Sequence, residues 1–330
     1  MQNIRAIVPA QDKWVNLVWQ VNDWCNFRCS YCSEWNWAGR NKNDENIGLI
    51  VNTLERIILH YQDKGYRYFK LFLSGGEPTY WKALVPVVEK FRQKVEWPGS
   101  AVGINTNFSR PLKWWEEHHH LFEDVVASYH AEWTKEEKYM TNYKFLQDKK
   151  NYLCARVMLH KELFDQTVEF TNRIKRECDN YIIEYAPVYD ALRPSTEPYH
   201  YDDPKQLEFV KNHTTERQQK IEIKKMPNYA WAKVWLEDGT YKPIDTNEII
   251  VDGKNFFKGW RCNIHESLHI HPNGNIQQAS CGVGPIVGNI VLGKFDKTTA
   301  TGVWCPKDHC HCAADFNITK ARPEYAEQIL

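Results

Sequence analysis

No stretch of the 330-residue chain approaches 18 consecutive apolar residues, which excludes a membrane-spanning helix. The opening segment, MQNIRAIVPAQDKW, holds no apolar run long enough for a signal peptide, so the sequence reads as cytoplasmic. Neither sign of charge is in excess: 42 Lys and Arg balance 42 Asp and Glu. No basic field therefore points to a nucleic acid or an anionic membrane surface. Low-complexity tracts and internal repeats are also absent. What remains is a globular composition, 42% hydrophobic and 25% charged, long enough for one large α/β domain with a smaller appendage.

Against this plain background stand ten cysteines. Disulfides are rare in the cytoplasm, so a different use is expected. Their placement is uneven. Cys25, Cys29 and Cys32 crowd near the N-terminus; Cys262, Cys281, Cys305, Cys310 and Cys312 gather near the C-terminus; Cys154 and Cys178 stand alone. Clusters of this kind read as metal sites.

The chain between these clusters alternates strand with helix. Strands are expected at 14–21, 68–73, 101–105, 124–130, 153–160 and 181–188. Apolar stripes at helical spacing separate them: Ile47 to Tyr61 before Gly65, Leu84 to Val95 before Pro98-Gly99, and Phe164 to Cys178. Six such units predict a parallel sheet curled into a partial (β/α)6, TIM-like barrel. From about Tyr201 the character changes, to a polar helix over 205–220 and hairpins turning at Asp238-Gly239 and Asn273-Gly274. The expected division is a barrel at 1–200 and, at 201–330, a linker helix, hairpins and a small cysteine-rich β unit.

Cys25-Asn-Phe-Arg-Cys29-Ser-Tyr-Cys32 follows the first strand directly. Three thiolates at this spacing can hold three irons of one 4Fe–4S cube and leave the fourth iron open to another ligand. A structural zinc site normally takes four protein ligands, and no fourth Cys or His lies nearby in sequence. The second strand ends in Ser74-Gly75-Gly76-Glu77-Pro78, where two glycines let backbone lie close to a ligand and a carboxylate sits at the barrel's C-terminal rim. Such a carboxylate suits an ammonium group.

Together these motifs resemble the radical S-adenosylmethionine (SAM) superfamily, across roughly residues 14–190. The resemblance implies that Cys25, Cys29 and Cys32 carry a 4Fe–4S cluster whose open iron chelates SAM. Reductive cleavage of SAM to a 5′-deoxyadenosyl radical, and hydrogen abstraction from a substrate C–H bond, would follow. It further implies that Tyr31 lies near the adenine, and that Gly75, Gly76 and Glu77 hold the methionine amino group. By position, Asn107, Ser128, Arg156 and the backbone at Pro187 and Val188 are candidates for further SAM contacts. Strand parity agrees. Leu153, Ala155, Val157 and Leu159 share one face for packing on helices; Cys154, Arg156, Met158 and His160 share the other and point into the lumen.

The C-terminal cysteines resemble the twitch or SPASM-like extension of this superfamily, which implies a second, auxiliary 4Fe–4S cluster. Cys262, Cys281, Cys305, Cys310 and Cys312 are five candidates for four places. A zinc site is the alternative, because His309 and His311 interleave with them. His118-His119-His120 reads as a solvated helix end, and His269 and His271 as strand neighbours of the auxiliary cysteines. Cys178 reads as core. Cys154 is a thiol facing the lumen, a candidate hydrogen donor but near the barrel floor. Several of the 14 tryptophans, Trp35, Trp37, Trp114, Trp115 and Trp133, are expected in loops over the barrel mouth, where they grip substrate or simply pack. The expected substrate is a peptide or protein, with a carbohydrate or aminocyclitol as the alternative; a barrel starting so near Met1 leaves no room for a leader-recognition domain. An electron donor such as flavodoxin or ferredoxin is the implied partner. A non-catalytic iron–sulfur or zinc protein is the reading from another class.

Overall fold

In Trp14-Val-Asn-Leu-Val-Trp-Gln20, Val15, Leu17 and Trp19 share one parity and lose all contact with solvent. The computed structural model describes residues 4–9, 11–32, 37–39, 46–150, 152–188, 201–213, 218–220, 231–245, 254–296, 298, 302–310 and 313–329. This first barrel strand is β2 (Trp14–Gln20), and β3 (Tyr68–Ser74), β4 (Ala101–Thr106), β5 (Asp124–Tyr129), β6 (Tyr152–Leu159) and β7 (Tyr181–Pro187) follow it in parallel register. All six fall where the sequence places them. The connections include α1 (Ile47–Asp63), α2 (Leu84–Lys94), α3 (Leu112–His118), α4 (Glu136–Leu146) and α5 (Phe164–Glu177). The α1 stripe of Ile50, Leu54, Ile57, Ile58 and Tyr61 is wholly buried against the outer face of the sheet. Each fully buried aliphatic of this kind contributes about 1.5–3 kcal/mol. Cys178 lies in the same core.

The parity argument holds for β6. Leu153, Ala155, Val157 and Leu159 join the helix-side core, whereas Cys154 faces inward and packs with Val126, Tyr152 and Ile182. That inner cluster is an apolar plug, and Cys154 at its heart is fully buried. Beside it Arg156 pairs with Glu184 across β6 and β7 at 3.1 Å.

Several features were not anticipated. Residues Ile4–Pro9 form a strand, β1, before the barrel begins. The helix expected over 205–220 runs only from Pro204 to His213, and Gln218–Lys220 instead add a strand, β8, antiparallel to β7. The hairpin at Asp238-Gly239 joins β9 (Trp231–Leu236) to β10 (Tyr241–Asp245). Beyond it come β11 (Arg261–Cys262), β12 (Ser267–Ile270), β13 (Asn275–Gln278), β14 (Ile286–Asn289), β15 (Lys294–Phe295), β16 (Val303–Trp304) and β17 (Lys320–Ala321). The Asn273-Gly274 hairpin does not stand apart from the barrel: β12 pairs in parallel with β2. The result is an open sheet of eleven strands, ordered β15-β14-β13-β12-β2-β3-β4-β5-β6-β7-β8. A second sheet, β10-β9-β1-β17-β11-β16, brings the two ends of the chain together around a core of Ile7, Ala232, Val234, Ile244, Phe257, Trp260 and Phe316. Among the described residues no helix is long and apolar enough to cross a membrane.

Candidate active site

The cysteine loop leaves β2 at its C-terminal end, and the Gly-Gly-Glu turn leaves β3 beside it. Two backbone hydrogen bonds sew them together: Gly76 N donates to Asn22 O at 3.0 Å, and Glu77 N to Trp24 O at 2.8 Å. Gly75 has φ +124°, and a Cβ there would lie 2.5 Å from Asn22 O, so only glycine lets the strands approach this closely. The turn thereby fixes the chain just ahead of Cys25.

A cavity of about 220 Å³ opens between these segments and the ends of β4, β5 and β6. Cys25, Cys29 and Cys32 line it together with Tyr31, Gly75, Gly76, Asn107, Ser128 and Arg156. Thus nine of the residues singled out from sequence converge on one space. Pro187 and Val188 do not line it, and neither does Glu77. Its carboxylate is fully buried and turned into the protein, where Oε1 accepts from Thr79 N (3.1 Å), Thr79 Oγ1 (2.6 Å) and Thr106 Oγ1 (2.7 Å). Oε2 accepts from Asn107 N at 2.7 Å. Asn107 in turn donates from Nδ2 to Asn26 Oδ1 at 2.8 Å, and its amide lies 3.6 Å from Cys25 Sγ. Glu77 therefore acts on the cavity through Asn107, as a brace between the ends of β3 and β4. Ser128 is oriented by donating to Asn105 Oδ1 at 3.0 Å.

Two histidines brace the far side of the cysteine loop. His130 meets the Tyr31 hydroxyl at 2.6 Å and Cys29 Sγ at 3.5 Å, with its ring stacked on Tyr31. His160 meets Ser30 Oγ at 3.1 Å, and Glu132 accepts from Ser30 N at 2.9 Å. Strand parity places His160 on the lumen side, but no sequence spacing joins either histidine to Tyr31 or Ser30.

Burial, above all, pushes the Cys25 and Cys29 thiols up to about 12. Bare thiolates are disfavoured here, so the set suits a ligand that brings its own positive charge. Among the described residues no three metal-ligating side chains converge on a single ion position. Three thiols spread around one cavity fit the separate irons of a cluster better than one zinc ion. Cys154, in the plug, is not on the cavity wall. Phe27, on the cavity wall, stacks on half-exposed Trp133, and elsewhere in the loop Arg28 lies over Trp37 at 5.0 Å. Trp114 and Trp115 instead pack in α3, Trp115 against Phe108 at 4.9 Å. His118 stacks on Trp114. Trp35 lies outside the described residues.

The C-terminal cysteines form a second grouping; Cys312 lies outside the described residues. No disulfide joins the described cysteines. Cys262 is pushed up to about 12, chiefly by burial, with Cys310 and Cys305 adding to it; Cys281 is raised by burial, with Asp315 and Cys305 contributing. Asp315 holds the Cys281 turn: its carboxylate accepts from Ser267 Oγ (3.1 Å), Ser280 N (3.2 Å), Ser280 Oγ (2.6 Å) and Cys281 N (3.0 Å). Burial pulls the pKa of fully buried Lys320 down, but Cys310, Cys262, Asp315 and Cys305 together outweigh that and raise it. His269 and His271 share a face with rings 4.5 Å apart.

No protein-family model matches the chain. Among curated proteins it is 32% identical over 97 residues to the GTP 3′,8-cyclase of Rhizobium leguminosarum bv. trifolii (strain WSM2304); the match covers 29% of this chain and 26% of that one. Among solved structures it is similar to native anSMEcpe with bound AdoMet and Cp18Cys peptide, at TM-score 0.52 and 13% identity, over 84% of this chain and 77% of that one. Native anSMEcpe with bound AdoMet gives TM-score 0.52 and 14% identity, over 84% and 78%. The chain therefore has the fold of the radical SAM enzymes, the family that its cysteine loop and Gly-Gly-Glu turn resemble.

Proposed function

We propose that this chain is a radical SAM enzyme that modifies a peptide or protein. The observation that carries the reading is the single cavity where Cys25, Cys29 and Cys32 meet Gly75, Gly76, Asn107, Ser128 and Arg156. Cys25, Cys29 and Cys32 would hold a 4Fe–4S cluster, for which the donor set and its burial are suited. Such a cluster, once reduced, supplies an electron that splits SAM into methionine and a 5′-deoxyadenosyl radical able to take hydrogen from a C–H bond.

The protein's own share is positioning and exclusion of water. The open backbone of Gly75 and Gly76 forms one wall, and Ser128, fixed by Asn105, presents a hydroxyl. Arg156 is held by Glu184 rather than left free to swing. Tyr31, locked to His130, keeps the loop between Cys29 and Cys32 from splaying. The peptide reading is supported by the anSMEcpe structure solved with a peptide bound and by the stacked pair of Phe27, on the cavity wall, and half-exposed Trp133. Cys262, Cys281, Cys305, Cys310 and Cys312 are the five candidates for the four ligand places of a proposed auxiliary 4Fe–4S cluster, the first four grouped around Asp315 and Lys320. A flavodoxin- or ferredoxin-like donor would supply the electron.

The test is anaerobic incubation of reconstituted protein with SAM and dithionite, following 5′-deoxyadenosine by mass spectrometry. Product from the wild type and none from Cys29→Ala is expected. Equal product from both sinks the cluster assignment. Isotope carried into deoxyadenosine from labelled peptides, and not from labelled sugars, decides the substrate class.

A further inference from the structure

Lys320 of β17 stands directly opposite Cys262 of β11. Opposed residues of an antiparallel pair project from the same face. The lysine and the thiol therefore leave the sheet on one side. The lysine is only 1% exposed, and its Nζ donates to the Asp315 carbonyl. It also lies 4.9 Å from the Phe257 ring and 5.2 Å from the Phe316 ring. Among the described residues no carboxylate comes within ion-pair distance of it; that of Asp315 is taken up by Ser267, Ser280 and Cys281.

A lone ammonium costs several kcal/mol to bury, and one carbonyl and two ring faces offset only part of that. An apolar residue would pack against Phe257 and Phe316 without the penalty. The feature that gives the charge a purpose is its company: Cys262 stands opposite it, and Cys310 packs against the core of Phe257 and Phe316 that it touches.

We propose that Lys320 is the counter-charge of the auxiliary centre, stabilising its reduced, more negative state and so raising its reduction potential. The proposal rests on the auxiliary-cluster reading above. A four-thiolate cluster is anionic in both states and gains one further negative charge when it accepts an electron. No bond is made or broken in that step, and a fixed ammonium favours the product over the reactant. Lys320 is thus a positioning charge, acting through the cluster rather than on the substrate.

The experiment uses the full chain carrying Cys25→Ala, Cys29→Ala and Cys32→Ala, so that the auxiliary centre is the one left to load. Iron is measured after anaerobic reconstitution, and the centre is titrated with dithionite under EPR. Lys320→Met should reduce the ratio of reduced to oxidised centre about tenfold at a fixed potential, a midpoint about 59 mV lower for one electron. Lys320→Arg should stay within about twofold of the parent. An unchanged midpoint in Lys320→Met overturns the proposal, as does an equal fall in Lys320→Arg, which would signify packing rather than charge. If Lys320→Met cannot load iron but Lys320→Arg can, the charge is needed for the centre to form and the proposal stands; failure of both overturns it. Zinc, or no metal, in the Lys320-bearing parent defeats the auxiliary-cluster reading itself, and the proposal falls with it.

Discussion

Replacing Glu77 separates two roles that a Gly-Gly-Glu turn can play. The carboxylate accepts four hydrogen bonds in the folded chain, two from the backbone N–H groups of Thr79 and Asn107 and two from the hydroxyls of Thr79 and Thr106. In Glu77→Ala the hydroxyls can turn elsewhere, but the two N–H groups stay buried with no acceptor. At about 1–3 kcal/mol for each, the loss is about 2–6 kcal/mol. Glu77→Gln keeps the shape and one acceptor oxygen but sets an amide NH2 against a donor, so about 1–3 kcal/mol is expected. The assay is urea unfolding of the metal-free chain, read as a midpoint at constant slope. It is paired with SAM affinity of the reconstituted protein by calorimetry. If Glu77 chiefly contacted the SAM ammonium, the pattern would invert: affinity would fall about tenfold or more with stability unchanged. A Glu77→Ala chain within about 0.5 kcal/mol of wild type that no longer binds SAM would refute the brace.

Gly75→Ala should cost about 2–4 kcal/mol, from the strained φ and the clash with Asn22 O, and should lower iron loading of the N-terminal cysteines. A variant with normal unfolding midpoint and iron content would show that the turn can relax. Burial, with a smaller push from Lys64, lowers His265 from 6.5 to about 4, so the folded chain keeps it neutral while the unfolded chain takes up a proton as the pH falls. Its contribution is fully present above about pH 6.5 and is lost towards about pH 4, on the order of 3 kcal/mol in all. His265→Gln should therefore unfold with a pH dependence shallower by about one proton across that window. His130 and His269 shift in the same direction in both proteins and cancel in the comparison. Equal slopes would overturn the assignment.

The barrel was legible because its information is local. Period-two alternation marks β2 to β7, period-3.6 stripes mark α1, α2 and α5, and parity alone sorts Leu153 from Cys154. The cysteine spacing and the Gly-Gly turn were legible because each needs particular residue types at particular steps. What was hidden depends on partners far along the chain. β1 is six residues with mixed burial, and its reason to be a strand is β9 on one side and β17 on the other. Residues 267–270 read as half of a hairpin, and nothing in them announces a parallel partner at 16–19. The aim of Glu77 was set by Thr106 and Asn107 on the next strand. Lys320, in a strand of two residues, has no periodicity to betray that it is buried.

The pairing of β1 with β17 also has a consequence in time. Ile7 faces Lys320 and Ala6 faces Ala321, so the residues of β1 leave the ribosome long before the partners they pair with. The strands β2 to β7 can assemble during synthesis, since each neighbour is the next strand made. The second sheet, which carries Cys262 opposite Lys320, must wait for β17 and bear the entropy of that long closure. The nascent protein thus completes the surroundings of its first cysteine loop before those of its last cysteines, and metal delivery during translation would meet the two in that order.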